Sequence, residues 1–296
     1  MPTVTSISTL GWAHYTLYEA LPRIAARGFK RIEIASFKSY CFHFNYGSPT
    51  PRELVKMLDT LGLEPICLNY DHGFYQAWVP EQVDRFVADW TRKIEQLGSA
   101  GIPTITMSFG ERSHRKDTEF QLMNELKAYD TVAGIAARHG IRTLIEVPHL
   151  YGNLHTVEQV LWMFDRFSSP NIGALVDSSH WGIIGYDLRE FLNALGDRLW
   201  HVHLRDSTGP DTADFNQQLE LTPGVGSVDF RLLGSVLDEI GYRGEVTLDF
   251  EHRDLTLDAI EREYDIGLRH LEETGWELPH HVRRGKEPVN RQAVKI

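Results

Sequence analysis

Four residues able to ligate a metal each close a short apolar run, and the four runs follow one another along the chain. Glu146 follows Leu144-Ile145, Asp177 follows Ala174-Leu175-Val176, His203 follows Val202, and Glu251 closes Val246-Thr247-Leu248-Asp249-Phe250. Such runs are the signature of buried strands in a parallel sheet. Strands that deliver ligands at the same end can surround one cation. Three carboxylates and one imidazole suit Mn²⁺ first, with Mg²⁺, Co²⁺ and Zn²⁺ as alternatives, although Zn²⁺ prefers more nitrogen or sulfur. Open coordination positions can take two oxygens of a hydroxy-ketone and polarise its carbonyl. A carboxylate touching metal and substrate can then move a proton. Glu146 and Glu251 come from opposite sides of the set, so they are expected to flank a sugar carbon on its two faces.

Histidines add to this chemistry. His149 lies three residues after Glu146, beyond the strand, where a neutral imidazole can serve as a general base. The alternative is a loop histidine bonded to backbone. His180 lies three residues after Asp177 and can hydrogen-bond a substrate oxygen. His201 and His203 share one face of their strand, because side chains repeat every two residues. His203 is nearer the C-terminal end and is the better ligand, which leaves His201 as a deeper core residue. Trp12, His14, Tyr70, His72, Trp181 and Arg205 complete the substrate-binding candidates. Several belong to unusually aromatic loops, Ser39 to Tyr46 and Tyr70 to Trp78. Aromatic faces stack on sugar and aromatic rings, so a ring-shaped organic ligand is expected, although rim packing explains part of the set.

The elements that must position these residues repeat one unit: apolar run, polar loop, helix-period segment. Earlier strands are expected at Val4–Ser8, Arg31–Ala35, Glu64–Tyr70 and Thr104–Phe109. Helical stripes run through Leu54, Leu58 and Leu61, through Phe86, Trp90, Ile94 and Leu97, and through Phe230, Leu233, Leu237 and Ile240. Gly28, Gly62, Gly101, Gly140 and Gly241 stand where helices end, and Pro51 and Pro80 where they begin. Eight such units imply an α/β protein, a single-domain (β/α)8 TIM barrel over residues 1–278 with an extended basic C-terminal tail over 279–296. A doubly wound open sheet is the alternative, weakened by the lack of a G-x-G-x-x-G turn after the first strand. The tail is either a solvated end or a segment that wraps a second subunit; the rim loops offer the other surface for a homo-oligomer or partner subunit.

The formal net charge of −11 over 296 residues argues against a nucleic-acid partner. No apolar stretch long enough for a membrane span and no signal peptide are seen, and Cys41 and Cys67 read as reduced thiols, so a cytoplasmic protein is expected.

The stretches Leu144-Ile145-Glu146-Val147-Pro148-His149, Val176-Asp177-Ser178-Ser179-His180, Val202-His203-Leu204-Arg205-Asp206, Pro223-Gly224-Val225-Gly226 and Asp249-Phe250-Glu251 together resemble the xylose-isomerase-like TIM-barrel superfamily, the sugar phosphate isomerase/epimerase group. That resemblance spans almost the whole chain. It implies one divalent metal on Glu146, Asp177, His203 and Glu251, with His180 on the substrate. The ketose 3-epimerases place a substrate-binding Glu six residues after the first metal Glu and an Arg six residues after the metal His. Here those positions are Gly152 and Gly209, which argues against that activity. Endonuclease IV needs further ligands that the loop Ser207 to Pro223 lacks. The resemblance therefore implies a carbohydrate-metabolism enzyme that abstracts a proton beside the carbonyl of a keto-sugar or related polyol, with Glu146, Glu251 and His149 as catalytic residues. Isomerisation or epimerisation is one outcome. The alternative is a lyase, either an inosose-type dehydratase or a C-glycoside deglycosidase catalytic subunit acting on an oxidised glycoside. A structural subunit with a vestigial metal site is the non-enzymatic alternative.

Overall fold

A computed structural model describes residues 2–45, 48–71, 73, 75–108, 110, 112, 118–209, 219–252 and 254–282. Eight strands follow in order: β1 (Ser6–Ser8), β2 (Arg31–Phe37), β3 (Glu64–Asp71), β4 (Thr104–Met107), β5 (Arg142–Glu146), β6 (Ile172–Asp177), β7 (Leu199–Leu204) and β8 (Glu245–Leu248). Each pairs with the next, and β8 returns to β1, so the sheet closes into a barrel. Every neighbouring pair is parallel. This is the expected (β/α)8 barrel.

Local chemistry explains the helices that cover it. Thr50 and Glu53 form a reciprocal capping box at the start of the helix Pro51–Leu61, and that helix ends on Gly62 at φ 64°. A side chain at that left-handed position would cost what glycine avoids. The helix Pro80–Ala100 buries the stripe Phe86, Trp90, Ile94 and Leu97 completely. Burial of each such side chain contributes roughly 1.5–3 kcal/mol. The chain up to Val282 folds back onto the barrel. A Cβ on Gly28 would lie 1.9 Å from the His281 carbonyl oxygen, so the close approach requires glycine. The basic stretch beyond it, 283–296, lies outside the described residues. Among the described residues, no helix is long and apolar enough to cross a membrane. Both cysteines are free and buried.

The barrel interior is layered. Cys67, Leu144 and Leu175 pack together midway along their strands. Two residues further along, the same strand faces carry Asn69, Glu146 and Asp177, because side chains alternate across a strand. On β7 the alternation runs from His201 to His203, and from β8 it runs from Thr247 to Asp249. A polar middle layer results, in which Ser6 Oγ meets Thr247 Oγ1 at 2.7 Å and His201 Nε2 meets Thr247 Oγ1 at 2.6 Å.

Several strand ends shift by a few residues, with β1 starting at Ser6, β2 running to Phe37 and β4 ending at Met107, and the shift in β8 bears on the site. β8 was expected to run to Glu251 but ends at Leu248, whose ladder partners are Leu204 of β7 and Ile7 of β1. Asp249 makes one further bond, from its N–H to the Leu204 carbonyl at 3.2 Å. Asp249 therefore stands at the strand end, and Glu251 lies two residues further on in the loop.

Candidate active site

The C-terminal mouth of the barrel holds a cavity of about 190 Å³. Glu146, His149, His180, Arg205, Asp249 and Glu251 line it, together with Tyr40, Asn69, Asp71, Thr106 and Ser108. Glu146, Asp177 and His203 present ligand atoms that all lie within 4.8 Å of one another. The strand ends that hold them are adjacent: β5 pairs with β6, and Asp177 faces His203 across the β6–β7 ladder.

Each side chain is aimed by its neighbours. Asp177 caps the short helix Ser178–Ile184, its Oδ1 accepting from the Ser179 N–H and hydroxyl, both at 2.7 Å. Its Oδ2 is left for the mouth. His203 Nδ1 lies 3.9 Å from that oxygen and 3.3 Å from Asp249 Oδ2. His180 Nδ1 accepts from the Leu150 N–H at 3.3 Å, so Nε2 carries the proton, 3.5 Å from Glu146 Oε1. His149 Nδ1 likewise accepts from the Tyr151 N–H at 3.3 Å. The His149 and His180 rings are 4.3 Å apart between centroids.

Glu251 occupies a different environment from the other three expected ligands. Its Oε2 accepts from Arg205 Nη1 at 2.7 Å, and its Oε1 accepts from the Tyr40 hydroxyl. Arg205 Nη2 also pairs with Asp177 Oδ2 at 2.7 Å, by charge rather than through an aligned hydrogen bond. Arg205 is itself fixed by its Nε–H to Ser179 Oγ at 3.1 Å and by its backbone, which exchanges bonds with Ser178 Oγ. Next to it, Asp206 gathers the backbone N–H groups of Ser207, Gly224, Gly226 and Val228. A Cβ on Gly226 would lie 2.4 Å from Asp206 Oδ1, so the Pro223-Gly224-Val225-Gly226 stretch is shaped by that carboxylate.

The electrostatics are those of a crowded, dry site. Burial pushes the Glu146 carboxyl up, with Asp177 adding to the shift and His149 opposing it. Burial pushes His149 down to about 3 and His180 down to about 4, so both rings are neutral at pH 7. His203 is raised: burial opposes its charge, but the Glu33 and Asp249 carboxylates outweigh burial. The same contest, won by Asp177, Asp249 and Glu251, raises Arg205.

The donor set suits a divalent cation. Asp177 Oδ2, His203 Nδ1 and Asp249 Oδ1 are buried and make no well-formed hydrogen bond. Buried polar atoms are normally satisfied, so a cluster of such exceptions is chemically suited to an ion. Oxygen and imidazole donors in one cage fit Mn²⁺, Mg²⁺, Co²⁺ or Zn²⁺.

The remaining substrate candidates are dispersed. Trp12 is fully buried and stacks on Tyr264 at 4.7 Å, because its loop turns into the core. Tyr70 is also in the core, edge-on to Trp90 at 4.9 Å. His14 is exposed and lines a separate hollow with Tyr18 and Phe42. Trp181 faces its own helix end, its Nε1–H donating to the Tyr186 carbonyl at 3.1 Å. His72 lies outside the described residues. Tyr40, within one of the aromatic loops, does reach the cavity. Asp249, inside the run that ends at Glu251, is a site residue that the strand-end pattern misses; the inward period of Thr247 and Asp249 is the sequence signal for it.

The family model described as xylose isomerase-like TIM barrel matches residues 21–274. The chain belongs to that family. Within it, the chain is 25% identical over 236 residues to 3-dehydroshikimate dehydratase of Pseudomonas aeruginosa, covering 79% of this chain and 36% of that protein. The chain thus spans about a third of the length of that relative. It is also 25% identical to inosose dehydratase of Yersinia enterocolitica, covering 83% of this chain and 89% of the relative. Among solved structures, a D-tagatose 3-epimerase-like protein shares the fold with a TM-score of 0.73 at 22% identity, covering 91% of this chain and 97% of that one. The IOLI protein, solved with a zinc atom, has a TM-score of 0.73 at 17% identity, covering 91% and 98%. Named relatives in the family thus include dehydratases, isomerases and epimerases.

Proposed function

We propose that this chain is a divalent-metal-dependent enzyme that removes a proton beside the carbonyl of a cyclic polyhydroxy ketone. The observation that carries this reading is the convergence of the Glu146, Asp177 and His203 ligand atoms, with Glu146 itself lining a cavity beside His149 and His180. Glu146, Asp177 and His203 would hold the metal, Mn²⁺ first, and Asp249 is the carboxylate beside His203 that would complete the set. When bound, the cation supplies electrophilic polarisation of a carbonyl.

The chain's own residues do the rest. Glu146, raised by burial, accepts the proton from the carbon beside the carbonyl. His149 was expected as a base, but with Nδ1 occupied by the Tyr151 N–H its neutral ring carries the proton on Nε2. It therefore serves as a hydrogen-bond donor to a substrate oxygen, as does His180. Arg205 and Tyr40 hold Glu251 in place and present cationic and phenolic edges to the substrate. Asn69, Asp71, Thr106 and Ser108, which also line the cavity, offer donors and acceptors for hydroxyl groups.

Exchange of a proton between two faces needs two free carboxylates. Glu251 is engaged by both Arg205 and Tyr40, which favours one-sided chemistry: 1,2-isomerisation or, in the lyase branch, loss of a β-hydroxyl or glycosyl group. Two dehydratases among the relatives support the lyase branch. The test is a panel of dehydroshikimate-type ketones, inososes, keto-sugars and oxidised glycosides followed by NMR in D₂O. Solvent deuterium beside the carbonyl, or an unsaturated product, supports the reading. Purified protein that binds no divalent metal and turns over none of the panel would favour a structural subunit instead.

A further inference from the structure

Below the cavity, on the floor of the mouth, sits a carboxylate that the proposed reaction does not use. Glu33 projects from β2 with no exposure to solvent. An unpaired carboxylate at such a depth costs several kcal/mol of desolvation. Its Oε2 lies 3.1 Å from His203 Nε2 and its Oε1 has no partner. The opposite ring nitrogen, His203 Nδ1, points at Asp177 and Asp249. The two nitrogens thus face different groups: Nδ1 the proposed cation site, Nε2 the buried acid.

We propose that Glu33 is a positioning residue that fixes the tautomer and ring plane of His203, accepting its Nε2–H so that the Nδ1 lone pair is presented to the metal. This rests on the metal-binding reading above. An imidazole binds a metal through one nitrogen, and the hydrogen bond made by the other decides which nitrogen that is. Among the described residues, His201 is the other imidazole near Glu33, 3.7 Å away, but its Nε2 is already engaged at 2.6 Å by the Thr247 hydroxyl. Cys67, a further neighbour in that layer, contacts Thr106 Oγ1 at 3.4 Å and also lies against Glu33, whose charge adds to the burial that raises its thiol. His203, at 3.1 Å against 3.7 Å for His201, is therefore the imidazole that Glu33 holds. Glu33 is not itself aimed at the cation, because it meets the far side of the ring.

The experiment compares wild type, Glu33→Gln and Glu33→Ala by Zn²⁺ and Mn²⁺ titration calorimetry, and by ¹⁵N NMR of the His203 ring in the Zn²⁺-loaded protein. In wild type, Nδ1 is expected to be the metal-bound nitrogen and Nε2 the protonated one. The Ala variant should bind metal about 10- to 100-fold more weakly and lose the slowly exchanging Nε2–H. The Gln variant keeps a carbonyl acceptor in the same place and should recover most of both signals. Metal on Nε2 in wild type overturns the proposal without any variant. So does a Glu33→Gln variant that binds as weakly as Glu33→Ala, or an Ala variant with unchanged affinity. Failure of wild type to bind either metal would instead sink the metal-binding reading itself.

Discussion

Arg205 Nη1 and Glu251 Oε2 stand 2.7 Å apart in a buried ion pair at the barrel mouth. The same guanidinium reaches Asp177 Oδ2 at 2.7 Å. A fixed organic cation thus lies between two carboxylates of the expected metal set and shapes what that set can do.

This pairing makes Arg205 a competitor for the metal's charge. Like charges a few ångströms apart in a dry site repel by several kcal/mol before relaxation. Arg205→Gln is expected to tighten Mn²⁺ binding by about tenfold while lowering turnover, since the cationic wall of the cavity is lost. Calorimetry with Mn²⁺ checks the first part. Weaker binding in the variant would show that Arg205 supports the ligand set rather than competing with it.

The β8 ending gives a second expectation. Asp249→Asn should lower metal affinity by about 100-fold or more, because a carboxylate 3.3 Å from His203 Nδ1 is lost. Glu251→Gln should lower it by less than about tenfold and act instead through Arg205. Metal content by elemental analysis of both purified variants ranks them. The reverse order would return Glu251 to the first coordination sphere.

Metal addition itself should stabilise the protein. Filling a cage whose buried donors lack partners binds the folded state alone, so the melting temperature should rise with Mn²⁺ and fall back with EDTA. At a hundredfold excess over the dissociation constant the gain is about 2.7 kcal/mol. A melting temperature indifferent to every divalent metal tried would count against the site.

His149 should separate chemistry from binding. His149→Gln removes a neutral donor from the cavity and is expected to lower kcat by about 10²-fold or more, with metal affinity changed only a few-fold. Steady-state kinetics on the substrate found by the deuterium screen provides the readout. A change in KM alone would make His149 a binding residue only.

Stability should fall as pH rises through the neutral range because of Glu125. This buried carboxyl accepts from Asn153 Nδ2 and is pushed up to about 8 by burial, from an ordinary value of 4.5. The folded state keeps the proton up to about pH 8, while the unfolded chain releases it near 4.5. Between those values the unfolded state binds fewer protons, so the stability present below pH 4.5 is lost progressively up to pH 8. The contribution is on the order of a few kcal/mol. Melting temperatures of wild type and Glu125→Gln from pH 5 to 8 check it, with the variant expected to show the shallower slope.

The barrel was legible in the chain because its determinants are local. Alternating inward residues, apolar helical stripes, capping boxes such as Thr50 with Glu53, and helix-ending glycines each depend on a few neighbours. Gly62 and Gly101 take their left-handed conformations where the sequence pattern ended a helix. The closeness of Glu146, Asp177 and His203 was legible for the same reason, since consecutive parallel strands bring their C-terminal ends together.

What tertiary structure decided was long-range. β8 pairs as far as Leu248, and it is Asp249 that the closed barrel sets beside His203, with Glu251 held instead by Arg205. Trp12 turned inward because Tyr264, 252 residues away in the chain, gave it a ring to stack on. Glu33 met His203 across 170 residues. Periodicity along a chain can say which residues share a face of one strand. Only closure of the barrel determines which residues of different strands come within bonding distance, and the direction in which a loop side chain leaves the rim depends on packing that no short stretch encodes.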